Sequence, residues 1–377
     1  METIRMADLH TQYLRIKEEI DQAIQEVLDS TAFIQGPQVK QFADALGTFL
    51  DSKAVIPCAN GTDALQIAMM ALGCKVGDEV ILPVYTYVAT AEVIALLGLK
   101  PVFVDVDRND FNIDVNQIEG KITERTFAIV PVHLYGQCAN MESILSIAKK
   151  HHIHVIEDAA QSLGAVYTFS DGQKLRAGTM GVIGCTSFFP SKNLGCFGDG
   201  GAIFTQDKSL AENIKMIANH GQKVKYYHDR IGVNSRLDTL QAAILQVKLK
   251  YLTDYETRRR RVADFYDLTL SSISFLETPF RSSNSTHVFH QYTLKTKGID
   301  RDQFRLYLEE REIPTMIYYP VPLHLQKAYA SSDYPFGSFK VTEELSRTVI
   351  SLPIHTEMTD DQLSYICSAI KEFAKHA

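Results

Sequence analysis

Thr126-Phe-Ala-Ile-Val-Pro-Val132, Met141-Glu-Ser-Ile-Leu-Ser-Ile-Ala-Lys-Lys150 and His154-Val-Ile-Glu-Asp158 are three consecutive blocks whose order decides the fold. The first and third are short and β-rich, the first almost wholly apolar, as strands covered on both faces are. The middle block sets Ile144, Leu145 and Ala148 on one face of a helix. Strand, helix and strand in this order read as a parallel crossover unit. The same grammar extends outward from about residue 54 to 205, with Ala54-Val-Ile56, Glu79-Val-Ile-Leu82 and Pro101-Val-Phe-Val-Asp105 as further strands and Asp63 to Leu72 as a helix presenting Leu65, Met69 and Leu72. An α/β domain with a mostly parallel central sheet is expected. A long helical pattern runs from about Leu240 to beyond Arg261, ends in the basic run Arg258 to Arg261, and is expected to bridge two domains. Beyond it, His290-Gln-Tyr-Thr-Leu-Lys295 reads as a strand, Asp302 to Arg311 as a helix, Pro314-Thr-Met-Ile-Tyr-Tyr319 as a strand and Thr359 to Lys375 as a closing helix. The expected division is a large domain, 1–248, and a small C-terminal α+β domain, 249–377.

Composition narrows the function. In 377 residues, 45% are apolar and 22% charged, and 38 basic against 45 acidic side chains leave a net charge of −7. No global field draws nucleic acid or an anionic membrane, so neither is expected as a partner. Six cysteines without C-x-x-C pairs read as reduced thiols. The N-terminal Met1-Glu-Thr-Ile-Arg-Met-Ala-Asp8 lacks the apolar centre of a signal peptide, and no apolar run approaches the roughly 20 residues of a membrane span. A soluble, cytoplasmic protein is expected.

Three segments carry chemistry. Ala59-Asn-Gly-Thr-Asp-Ala-Leu-Gln66 joins a strand to a helix, and Gly61 lets backbone amides come close to a phosphate at the helix N-terminus; alternatively, Thr62 merely caps the helix. Val155-Ile-Glu-Asp-Ala-Ala-Gln161 ends a strand in an acid at the carboxyl edge, where open α/β sheets bind ligands. Asp158 there could keep a pyridinium nitrogen protonated, or could cap a following helix. Thr186-Ser-Phe-Phe-Pro-Ser-Lys-Asn-Leu-Gly-Cys-Phe-Gly-Asp-Gly-Gly201 surrounds a single lysine with irregular, glycine-rich backbone. A solvated lysine needs no such setting, whereas one that attacks a carbonyl must be unprotonated and partly desolvated.

Together with Tyr85-Thr-Tyr-Val-Ala-Thr90, Asn219-His-Gly221 and Gly232-Val-Asn-Ser-Arg-Leu-Asp238, these segments resemble the DegT/StrS family of sugar-nucleotide aminotransferases, fold type I pyridoxal-phosphate enzymes, over nearly the whole chain. The resemblance implies Lys192 as the Schiff-base lysine, Asp158 as partner of the pyridine nitrogen, Gln161 beside the ring hydroxyl and Tyr87 stacked on the ring. It implies Gly61, Thr62 and Ser187 as phosphate ligands and Asn234 as a phosphate contact from the neighbouring subunit, hence a homodimer with shared sites. Glutamate is the implied amino donor. Cys58-Ala-Asn-Gly-Thr-Asp-Ala-Leu-Gln-Ile67 and Leu134-Tyr-Gly-Gln-Cys-Ala139 are most similar to enzymes that aminate UDP-2-acetamido-2-deoxy-3-oxo-glucuronate for cell-surface polysaccharide synthesis. That likeness implies Arg236, from the other subunit, as the guanidinium facing the sugar; its alternative is a buried ion pair with Asp238. Tyr318 and Tyr319 match substrate-side residues, Tyr318 standing where the family commonly has histidine, a change that puts the sugar in question. A TDP-linked keto-deoxysugar and a non-catalytic sensor of cofactor or sugar are the alternatives.

Other features read more blandly. His151, His152 and His154 cluster without an acidic partner, the Arg258 to Arg261 run reads as a solvated or inter-domain surface, and His133 is either core or close to the site. A dehydratase of the same fold would carry histidine in place of Lys192, and no G-x-G-x-x-G follows the first strand to suggest a nicotinamide enzyme.

Overall fold

A computed structural model describes residues 3–375, so Met1 and Glu2 of the N-terminal reading lie outside it. Before the first expected strand come three helices that the α/β grammar did not reach: α1 (Leu9–Arg15), α2 (Lys17–Ser30) and α3 (Pro37–Leu50). Asp8 caps α1 by accepting from the Thr11 amide at 3.0 Å, and Pro37 opens α3 where its missing N–H costs nothing.

The α/β alternation follows: β1 (Ala54–Cys58), α4 (Gly61–Leu72), β2 (Glu79–Pro83), α5 (Ala89–Leu96), β3 (Lys100–Val104), α6 (Val115–Ile118), β4 (Thr126–Ile129), α7 (Met141–His151) and β5 (His154–Asp158). A two-stranded ribbon, β6 (Val166–Thr168) and β7 (Lys174–Arg176), precedes β8 (Ile183–Ser187), β9 (Gly201–Thr205) and α8 (Lys208–Ala218). Seven strands form one sheet in the order β1-β9-β8-β5-β4-β2-β3. Its neighbours are parallel except that β9 runs against both β1 and β8. Because β9 reverses direction twice over, β1 and β8 point the same way. The carboxyl ends of β1, β2, β4, β5 and β8 therefore share one edge, as in open α/β sheets whose ligands bind there.

A short hairpin, β10 (Gln222–Val224) and β11 (Tyr227–His228), leads to α9 (Thr239–Leu249) and α10 (Leu252–Leu270). The single long helix expected from Leu240 is thus two. Tyr251 N closes a tight turn on the Lys248 carbonyl at 3.0 Å, although no glycine or proline marks the break. Packing makes it: α9 is buried nearly all round against α2 and α3, whereas α10 buries one stripe, Tyr255, Arg259, Val262 and Tyr266, partly against the C-terminal helix. The expected boundary at 248/249 falls just before the end of α9.

The chain finishes with β12 (Leu276–Glu277), β13 (Tyr292–Thr296), α11 (Arg301–Glu309), α12 (Lys340–Thr348), β14 (Val349–Leu352) and α13 (Asp360–Phe373). β12, β13 and β14 form an antiparallel sheet over a core of Tyr266, Leu294, Phe304, Ile350, Leu363 and Ile366. The strand expected at Pro314–Tyr319 is only a bridge between Met316 and Ser351, because the chain then turns to deliver the Tyr318 carbonyl to the tyrosines described below. The arginine run is not simply a surface either. Arg259 is 5% exposed and donates to the carbonyls of Phe289 at 3.0 Å and Ile354 at 3.1 Å. The histidine cluster does have an acidic neighbour, since Glu119 meets His151 at 2.9 Å and also pairs with Lys150. No helix among the described residues is long and apolar enough to cross a membrane.

One buried carboxylate ties the C-terminal elements to the large sheet. Asp105, directly after β3, accepts from the Val341 and Thr342 amides at 3.0 Å each and from the Thr342 hydroxyl at 2.7 Å, capping α12 from outside that helix. Asp105→Ala removes all three of these hydrogen bonds, and a loss of about 2 kcal/mol is expected. Urea unfolding checks it: a midpoint equal to that of the parent would mean that water satisfies those donors as well as the carboxylate does.

Candidate active site

The first turn of α4 is set by Asn60, whose side-chain oxygen accepts from the Asp63 amide at 2.8 Å. Asn60, not Thr62, is therefore the cap. The amides of Gly61 and Thr62 have no carbonyl one turn earlier and stay available for an anion. This turn crosses the sheet edge with no space to spare. A Cβ on Gly61 would lie 2.7 Å from the Ser187 Cβ, and one on Gly201 would lie 2.4 Å from the backbone carbon and oxygen of Asn60. The Ser187 hydroxyl accepts from the Phe189 amide at 3.2 Å, which leaves its own proton to donate. Gly61, Thr62 and Ser187 are thus brought together at one corner.

Asp158 ends β5 and is 7% exposed. Its carboxylate accepts from the Thr90 hydroxyl at 2.9 Å and from the Ala160 amide at 3.1 Å. No helix follows it, so the helix-cap alternative is set aside. Among the described residues no basic side chain forms an ion pair with it. A buried carboxylate held only by neutral donors is suited to a cationic ligand atom.

Lys192 follows β8 in a closed loop, its amide bonded to the Phe189 carbonyl at 2.8 Å. Burial pushes its amine down to about 8, opposed by the negative charge of Asp158. Loss of water thus favours the neutral, nucleophilic form. Gln161 is fully oriented, accepting from the Tyr135 amide at 2.8 Å and donating to the Tyr319 hydroxyl at 3.1 Å. Tyr87, by contrast, is 59% exposed, with its ring tilted against that of Tyr319, 6.3 Å between centroids.

Tyr318 and Tyr319 are held by residues that the sequence reading did not single out. The phenols of Tyr85, at 2.5 Å, and Tyr135 both donate to the Tyr318 carbonyl, and the Tyr319 amide donates to the Tyr85 hydroxyl at 3.1 Å. Burial pushes the Tyr85, Tyr135 and Tyr319 phenols up, so they stay neutral; the first two donate and Tyr319 accepts from Gln161. Tyr85 and Thr90 stand at the two ends of Tyr85-Thr-Tyr-Val-Ala-Thr90, a segment already noted for Tyr87; its inward-facing positions were the available signal.

Asn234 is exposed, while its neighbour Ser235 accepts from the Ala59 amide at 3.0 Å, placing this segment beside the first turn of α4. Arg236 is half-buried and forms no ion pair with the exposed Asp238 among the described residues, so the buried-pair alternative is not realised. His133 belongs to the core: its Nε2 meets Glu157 at 2.8 Å and its Nδ1 accepts from the Ala139 amide at 3.1 Å.

A phosphate corner, a buried unpaired carboxylate and a desolvated lysine on one sheet edge match the needs of a phosphorylated pyridine aldehyde: a cradle for its anion, a partner for its ring nitrogen and an amine for its carbonyl. Comparison with known proteins agrees. Residues 14–371 match the DegT/DnrJ/EryC1/StrS aminotransferase family, whose aminotransferases use pyridoxal phosphate. The UDP-2-acetamido-2-deoxy-3-oxo-D-glucuronate aminotransferase of Pseudomonas aeruginosa is 48% identical, over 97% of this chain and 99% of its own. A pleiotropic regulatory protein of Geobacillus stearothermophilus is 45% identical over 99% of both chains. The crystal structure of S. venezuelae DesV in complex with a ketimine intermediate superposes with a TM-score of 0.95 at 38% identity, over 100% of both chains. With fold, site and sequence in accord, the chain belongs to the DegT/DnrJ/EryC1/StrS aminotransferase family.

Proposed function

We propose that the protein is a pyridoxal-phosphate aminotransferase that moves an amino group from glutamate to a keto sugar carried by a nucleotide, with UDP-2-acetamido-2-deoxy-3-oxo-glucuronate as the substrate and cell-surface polysaccharide precursors as the destination. The observation that carries the chemistry is the Lys192 amine, desolvated and lowered to about 8, near the buried carboxylate of Asp158. The sugar is supported by the 48% identity to the Pseudomonas aeruginosa enzyme of that name. The reading includes a cytoplasmic homodimer in which Asn234 and Arg236 serve the partner's site, and a division into domains 1–248 and 249–377.

When bound, pyridoxal phosphate supplies a carbonyl for amine exchange and a protonated ring that stores an electron pair. The residues of the chain do the rest. Gly61, Thr62 and Ser187 would hold the phosphate, Asp158 would keep the ring nitrogen protonated, Gln161 would orient the ring hydroxyl and Tyr87 would serve as the aromatic on the ring. The Lys192 Nζ would hold and return the proton at the substrate carbon. General acid-base assistance of this kind is worth roughly 10²–10⁴-fold. Tyr318 and Tyr319 offer phenol hydroxyls to the sugar, and Arg236 offers its carboxylate a planar two-point partner.

The regulator named among the relatives motivates a second reading, in which the same residues bind cofactor and sugar without turnover. A visible absorption band formed on adding pyridoxal phosphate and bleached by glutamate supports the enzyme; a band that glutamate leaves unchanged supports the sensor. Lys192→Ala is expected to lose turnover by at least about 10²-fold, and normal turnover by this variant would refute the role of Lys192. A panel of UDP- and TDP-linked keto sugars, read by mass spectrometry, checks the sugar: amination of TDP substrates alone would exclude the uronate. Because only the neutral amine attacks, band formation is expected to accelerate as pH rises through about 8 and level off above it; a rate still climbing through 10 would show a lysine with ordinary solvation. Mixing Lys192→Ala and Asn234→Ala chains should restore some activity if Asn234 acts across the interface, and no restoration would place it in its own subunit's site.

A further inference from the structure

The loop that carries Lys192 bends back on itself. The Cys196 amide donates to the Phe188 carbonyl at 2.8 Å, and a Cβ on Gly195 would lie 2.2 Å from the Pro190 carbonyl oxygen. Such a closed loop satisfies its inner groups but leaves the Gly195 carbonyl and the Phe197 backbone pointing outward. Helix α9 meets both. The Gln241 side chain accepts from the Phe197 amide at 2.8 Å, and Lys248, two turns further along the same helix face, donates its amine to the Gly195 carbonyl. Gly198 leaves room for this approach, since a Cβ there would come within 3.1 Å of the Gln241 side-chain nitrogen. The Phe197 ring is bracketed by the Lys248 amine, 5.5 Å from its centre, and by the Tyr13 ring of α1 at 6.0 Å.

Lys248 is an unusual residue for such a place. It is 2% exposed and, among the described residues, has no carboxylate partner. Burying an unpaired amine opposes folding, so its presence is not accounted for by stability. Methionine would fill the same volume without that cost.

We propose that Lys248, together with Gln241, is a positioning residue for the reaction, holding the Pro190–Gly195 loop so that the Lys192 amine stays at one point over the sheet edge. On the opposite side Asn193 donates to the Val288 carbonyl at 3.0 Å, and Arg259 of α10 holds the adjacent Phe289 carbonyl at 3.0 Å. The loop is thus held directly by α9 on one side and, on the other, by the 288–289 segment that α10 anchors. The inference rests on the role given to Lys192 above, but loop order can be measured whether or not that role is correct.

The test is hydrogen exchange of residues 188–198 in the full chain, with and without pyridoxal phosphate, alongside steady-state kinetics, for Lys248→Met, Lys248→Gln and Gln241→Ala. Removing a charge-assisted hydrogen bond is expected to speed exchange in this loop by about tenfold in Lys248→Met, without a lower thermal midpoint and without faster exchange in β5. The turnover number should fall by about tenfold while KM for glutamate stays within about twofold, and Lys248→Gln, which keeps a donor, should recover part of both losses. If Lys248→Met fails to fold, Gln241→Ala carries the same expectation from the other contact. Unchanged loop exchange in the variants, or faster exchange with full turnover, would overturn the proposal. A parent chain without turnover but with faster loop exchange in the variants would instead refute the enzyme reading and leave the loop clamp standing.

Discussion

Everything at the site depends on how closely β9 lets its two neighbours approach. Gly201 pairs with Cys58 on one side and Ser187 on the other, and a side chain there would collide with the Asn60 backbone. This steric constraint brings the first turn of α4, with its open amides, against the strand end from which the Lys192 loop departs. Because β9 is antiparallel to both β1 and β8, their carboxyl ends emerge on the edge where β5 delivers Asp158. The glycines matter here for close approach, since neither Gly61 nor Gly201 has positive φ.

On this frame the polar groups divide into two kinds. The tyrosines and Gln161 are mutually satisfied: Tyr85, Tyr135, Tyr318, Tyr319 and Gln161 form one network whose buried phenols stay neutral. Such a network makes a stiff wall. Asp158, Lys192 and Lys248 are different, because Asp158 and Lys248 are each buried against neutral partners only, and burial pushes the Lys192 amine toward its neutral form. Groups of that kind oppose folding in isolation and are expected where binding or chemistry supplies the missing partner. The first two have an evident use in a family of pyridoxal-phosphate aminotransferases, and the third lies directly behind the loop that carries the second.

Helix α9 also ties the Arg236 segment to the contacts behind the Lys192 loop in one rigid element. Arg236 precedes its cap, Asp238, and Gln241 and Lys248 face the Lys192 loop from its interior. A segment read as reaching a second subunit and a clamp on the loop of its own subunit therefore move together. That arrangement gives a physical reason for α9 to stop at Leu249. Its all-round burial holds it in the large core, and continuing as one helix would carry α10 away from the stripe it buries against the C-terminal elements.

What the sequence by itself determined is what depends on local order. Alternating apolar runs and amphipathic stretches mark β1 to β5 and α4 and α7, and Thr359 to Lys375 reads as the closing helix that is α13, whereas β8, from which the Lys192 loop departs, is not picked out. Lys192 stands out because a solvated lysine needs no glycine-rich, irregular backbone around it, whereas Asp158 and Gly61 each have a helix-capping alternative in their own segment and gain their reading from the combined motifs. Tertiary structure alone decided the rest, since each feature depends on a partner distant in sequence. No local signal marks the break after Leu249, which packing imposes. Arg259 looks like part of a solvated basic run until the carbonyls of residues 289 and 354 surround it. The Pro314–Tyr319 run has the composition of a strand, yet two tyrosine hydroxyls from the large sheet fix its backbone instead. Hydrophobic periodicity records which side of an element is buried, but it carries no information about which distant donor or acceptor will meet it there.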